Sequence, residues 1–207
     1  MLLQYCQCFR FAPSFDDRGI LSESVQIILD AAASLKRLYL GEASCIYLDG
    51  LSGLEEVAFP EKSFATYQIS AYSFRHLQRL AVGDIPFQKS CVVDHLLKAL
   101  PRLKQLAIGS SNVQRTILGV DTSYYTGVVR YLESFPVPPR ITFGLDVSYK
   151  QDDAEFDIFR ARLFSLLPQD LHQHVVCLEY GSISGERQGS TWFADRIIDG
   201  TLWAMER

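Results

Sequence analysis

Apolar residues recur along the chain in one short frame: an apolar position, two variable ones, an apolar position, one variable, a third apolar position, then usually glycine. Leu35, Leu38, Leu40 and Gly41 fill it, as do Leu77, Leu80, Val82 and Gly83, and Leu103, Leu106, Ile108 and Gly109. A fourth full copy runs through Val175, Leu178, Tyr180 and Gly181. Leu54, Val57 and Phe59 fit with Pro60 replacing the glycine, and Pro138, Ile141, Phe143 and Gly144 with proline in the first slot. Cys6, Phe9 and Phe11 match more loosely. Two apolar residues one apart predict a short strand with an apolar inner face. The glycine that follows lets the chain turn sharply off it.

Between these strands the period changes to that of helices. Val25, Ile28, Leu29 and Ala32 fall at helical spacing within 22–33, and Val92, Leu96, Leu97 and Leu100 do so before Pro101. Helical stretches at 128–135 and 156–167 end at Pro136 and Pro168, since proline cannot continue a helix. A last helix is expected over 191–205. Strand and helix in alternation predict an α/β fold with parallel strands. Two arrangements satisfy that alternation, a doubly wound sheet and a curved solenoid. A frame repeating in register favours the solenoid, because a doubly wound sheet has no reason to repeat it.

These copies make the chain resemble the leucine-rich repeat family over nearly its whole length. First slots at residues 6, 35, 54, 77, 103, 138 and 175 give six to seven irregular units in one solenoid spanning 1–207. The family's asparagine is mostly missing, Asn112 coming closest. Repeats this irregular are similar to those of fungal-type F-box proteins and other intracellular leucine-rich repeat adaptors. The resemblance implies a protein-binding module with no catalytic residues, no cofactor and no metal. It also implies a place as the substrate-recognition part of a ubiquitin-ligase adaptor, in the cytoplasm or nucleus. No stretch reads as an F-box, and the expectation is of a stack whose further repeats or N-terminal module precede residue 1.

In the family, the residues flanking the second apolar slot point to the concave face. Carried over slot by slot, one column reads Cys8, Arg37, Glu56, Arg79, Gln105, Arg140 and Cys177. The next reads Arg10, Tyr39, Ala58, Ala81, Ala107, Thr142 and Glu179. The alanines form a flat strip edged by guanidinium groups, suited to an extended acidic or phosphorylated segment. Arg10, Arg37, Tyr39, Arg79, Arg140 and Glu179 are therefore the expected partner-binding residues. The plainer reading is that charges keep an open sheet face soluble and that Arg37 or Arg79 neutralises Glu56. A different function is also compatible with the pattern: a small α/β enzyme-type domain, its ligand at the strand C-terminal ends near Gly41, Gly83, Gly109 and Gly181.

Composition narrows this. With 48% apolar and 21% charged residues the chain can bury a core. A net charge of -4 argues against nucleic acid or an anionic membrane as the partner. No apolar run approaches the roughly 18 residues needed to span a bilayer, and the first eleven residues do not read as a signal peptide. Five scattered cysteines, Cys6, Cys8, Cys45, Cys91 and Cys177, read as reduced thiols, mostly core filler.

Other candidates for chemistry are weaker. His76 and His95 read as loop and helix-surface residues. His172, His174 and Cys177 lie close in sequence but lack further ligands for a metal. The glycine-dense 181–189 stretch lacks phosphate-loop and nucleophile-elbow spacings and reads as a rim loop. Asp152, Asp153, Glu155 and Asp157 precede or open a helix, where its dipole favours negative charge. Tyr124, Tyr125 and Tyr131 read as core or loop packing rather than a sticky convex patch.

Overall fold

A computed structural model of the chain describes residues 7–11, 27, 29–30, 32, 34–40, 51–63, 74–110, 122–146 and 153–180. The expected helix at 191–205 and the 181–189 loop lie outside them. Seven strands form one sheet: β1 (Cys8–Phe11), β2 (Arg37–Leu40), β3 (Glu56–Ser63), β4 (Arg79–Asp84), β5 (Gln105–Ser110), β6 (Arg140–Asp146) and β7 (Val175–Tyr180). Every adjacent pair is parallel, and the spatial order is the chain order. Among the described residues three helices with both ends defined follow strands: α1 (Ser90–Ala99), α2 (Thr122–Glu133) and α3 (Asp153–Leu166). A 3-10 turn, Gln169–His174, leads into β7. The fold is α/β on a single parallel sheet, as the alternation predicts.

The second and third slots make the sheet's inner face. Leu38, Val57, Leu80, Leu106 and Ile141 form one buried row, and Leu40, Phe59, Val82, Ile108 and Phe143 the next. The first slots Leu35, Leu54, Leu77 and Leu103 are buried too, and each donates its N–H three residues back, to Ala32, Leu51, Phe74 and Leu100. All four acceptors are buried apolar residues. The repeat is thus one apolar position longer than the frame read from sequence. That extra position anchors a tight turn just ahead of each of β2 to β5.

The helices cover this apolar face. Val93, Leu96 and Ala99 of α1 face inward, and Leu100 caps the helix with its N–H on Leu96 O at 2.9 Å before Pro101 ends it. In α2, Tyr124, Tyr125, Val128, Tyr131 and Leu132 are buried, so the tyrosines belong to the core. Tyr124 and Tyr131 pack on Phe87, and Tyr125 on Phe159 of α3. Asp153, Glu155 and Asp157 fall within α3, which opens at Asp153.

Three local expectations change. Gly83, Gly109 and Gly144 lie inside strands, and Gly109 pairs with Gly144 in the ladder, so they do not make the turns assigned to them. Among the described cysteines, Cys8 and Cys91 are exposed rather than core filler and Cys177 is partly buried, while Cys6 and Cys45 lie outside the described residues.

The third change concerns β7. Its first residue, Val175, pairs with Ile141, whereas the sequence frame would align Leu178 there. Leu171, which donates its N–H to Pro168 O, is the residue that occupies the turn. Val175 and Cys177 therefore form the inner pair of β7.

Candidate functional site

The opposite face of the sheet carries the two expected columns. Cys8, Arg37, Glu56, Arg79, Gln105 and Arg140 are register partners from β1 to β6, and Tyr39, Ala58, Ala81, Ala107 and Thr142 are partners in the same way. Arg10 aligns with Tyr39 in the backbone register. The shifted register of β7 ends both columns at β6. Cys177 pairs with Phe143 instead of Arg140, and Glu179 with Leu145 instead of Thr142. Burial pushes the Cys177 thiol up to about 12, so it is neither a thiolate nor a surface ligand at neutral pH.

The second column is closed. Ala58, Ala81 and Ala107 have no accessible surface, and Thr142 and Tyr39 keep 4% and 6%. A methyl group reaches barely beyond the backbone, so longer neighbours screen it. The flat strip read from sequence is thus unavailable to a ligand, and the accessible surface lies at the strand starts.

Glu56 organises that surface. Its carboxylate is buried at 4% exposure. It accepts the Tyr39 hydroxyl at 2.5 Å on Oε1 and Arg79 Nη1 at 3.1 Å on Oε2. Burial and then the Glu56 carboxylate hold the Tyr39 phenol well above its ordinary range, so it stays a donor. Arg79 does neutralise Glu56, while about half of its side chain remains open to solvent. Among the described residues Arg37, which is exposed, makes no ion pair.

A third row, absent from the sequence reading, stands one residue ahead of the first column: Gln7, Lys36, Glu55, Gln78 and Lys104. Each carbonyl of this row accepts from the next strand. Gln7 O takes the N–H of Lys36 and Arg37, Lys36 O those of Glu55 and Glu56, and Glu55 O those of Gln78 and Arg79. Gln78 O then takes those of Lys104 and Gln105. Lys104 O receives only Arg140 N–H, because Pro139 has none to give. Strict strand alternation would turn this row inward, but these residues precede the strands and are not bound by it. Their signal in the sequence was only their position before each column residue.

Three open depressions run along these rows. One of about 320 Å³ is lined by Gln7, Lys36, Arg37, Glu55, Glu56, Gln78 and Arg79. Another of about 300 Å³ is lined by Gln78, Arg79, Lys104, Gln105 and Arg140. The largest, about 680 Å³, adds Gly53, His76 and Arg102 at the edge. Six lysine or arginine side chains line them against two carboxylates. Both carboxylates are engaged: Glu55 with Lys36 Nζ at 2.8 Å, which holds it below its ordinary range, and Glu56 as above.

The histidines do not converge. His76 accepts Arg102 Nη1 on Nδ1 at 3.3 Å, and His95 is exposed on α1. His172 donates Nε2–H to Leu167 O at 3.0 Å and packs edge-on against Phe164. Among the described residues no group of three or more metal-ligating side chains comes together, and no helix is long and apolar enough to cross a membrane. No family model, curated protein or solved structure matches the chain.

Proposed function

We propose that the protein is an interaction module, a solenoid of leucine-rich-repeat type, that captures an acidic segment of a partner protein across its strand starts. The observation that carries this is the gathering of Lys36, Arg37, Arg79, Arg102, Lys104 and Arg140 on one edge of a chain whose net charge is -4. Its two carboxylates are already bonded within the fold, so the face is left cationic. Arginine forks and lysine ammonium groups on a polar surface attract carboxylate or phosphate groups and speed encounter with them. Sequential parallel order supports the solenoid, since each unit then adds to the one before it. The biological setting that fits such a module is substrate recognition in a ubiquitin-ligase adaptor of the cytoplasm or nucleus, and co-purification of the cullin adaptor with the expressed protein tests it.

The binding surface is narrower than the sequence columns imply. It consists of Arg37, Arg79 and Arg140 with the Lys36 and Lys104 row, and leaves out the closed alanines. Fluorescence anisotropy with a labelled glutamate-rich peptide tests it directly. The Arg37→Gln, Lys104→Gln variant should bind about tenfold more weakly at low salt, at about threefold per exposed charge, with an unchanged melt. Equal affinity of variant and parent would overturn the proposal.

A further inference from the structure

The first column alternates in charge along the stack. Arg37 stands on β2, Arg79 on β4 and Arg140 on β6, while β3 and β5 contribute Glu56 and Gln105 at the same register. Neighbouring strands are about 4.8 Å apart, so successive arginines are rooted roughly 9.6 Å apart along a line across the strands. Few peptide conformations present side chains on one face at that interval. A polyproline II segment advances about 3.1 Å per residue with three residues per turn, so every third side chain recurs on one face about 9.3 Å along. An extended strand repeats its face at about 6.7 Å. A helix comes near only at every seventh residue, about 10.5 Å, and it needs an apolar groove for its apolar side. The closed alanine column provides none.

We infer that this face selects a polyproline II segment carrying a carboxylate at every third residue, one for each of Arg37, Arg79 and Arg140. This rests on the reading of the strand starts as an acidic-segment site and adds its spacing. Positions between the acids project from the other two faces of the three-residue turn, away from the strand starts, so the arginines do not read them. Arg79 gives only Nη1 to Glu56, and its guanidinium has further N–H donors for a ligand. An uninterrupted acidic run therefore gains little over three well-spaced carboxylates.

The test compares synthetic peptides with three glutamates each: at every third position in a proline-rich background, at every second in a threonine-valine background, and at every seventh in an alanine-rich helix. The first should bind about tenfold more tightly than the others, at about threefold for each further pair in register. Equal affinity for all three, or preference for the helix, would overturn the spacing while leaving an acidic-segment site. No binding by any of them would remove the site itself. Single variants then read the register. Arg37→Gln should make one terminal glutamate of the best peptide silent to replacement by glutamine, and Arg140→Gln the other terminal glutamate. If either variant weakens every peptide by the same factor and leaves all three glutamates equally important, charge alone is being read and the inference fails.

Discussion

Glu56 shows how one residue changes meaning between sequence and structure. In the column of variable positions it is one charge among arginines. In the fold it is a buried carboxylate bonded to Tyr39 and Arg79. Losing a donor to a buried acceptor costs more than losing a surface pair. Arg79→Ala should therefore lower stability by about 1 kcal/mol, the low end of the range because Arg79 is half exposed. Adding Glu56→Gln should restore most of that loss by removing the stranded charge. Thermal melts of the two single variants and the double variant check this, and a purely additive double variant would refute it. Arg79 was legible as a surface cation, because its slot in the repeat is written in the sequence. Its bond to Glu56 depends on which rotamers the neighbouring strands allow, and no spacing rule holds that.

At the scale of an element, α2 is held against the loop after β4 by a contact only glycine permits. A Cβ on Gly127 would meet Phe87 O at 2.1 Å, so the helix backbone rides directly on the main chain there. Alanine is the better helix former by about 1 kcal/mol, yet Gly127→Ala should destabilise the protein by about 1–3 kcal/mol through overpacking. Urea unfolding of the variant measures the net sign, and a gain in stability would show that α2 can lift away. Helices stopping before Pro101, Pro136 and Pro168 were legible because proline cannot continue a helix, but α2 starts at Thr122, six residues before the expected 128. The β7 frame was misread because Val175, Leu178 and Tyr180 satisfy the apolar pattern as well as the true inner pair does. Leu171 decided between them through a turn bond to Pro168.

For the whole molecule, the buried titratable groups on the helix-covered side of the sheet set a limit at alkaline pH. Burial holds the Tyr124 and Tyr131 phenols above their ordinary 10.0, and the Cys177 thiol above its ordinary 9.0, at about 12. Each proton is bound more tightly in the fold than in the unfolded chain. Their contribution is complete below about pH 9 and is lost as pH rises through the unfolded values toward the folded ones. Stability should fall steadily from about pH 9 to 12, and Tyr131→Phe should flatten part of that slope in pH-dependent melts. An unchanged slope in the variant would mean that Tyr131 is not the group titrating. The sequence by itself determined the α/β alternation, the inner apolar rows and the register of six strands, because those follow from local periodicity and repetition. Only the tertiary structure decided that the alanine strip is closed, that Glu56 is bonded to its neighbours, and that Lys36 and Lys104 join the cationic face. Those outcomes depend on side-chain length and direction across strands far apart in the chain, and the tight turns ahead of β2 to β5 free their residues from the alternation the sequence suggests.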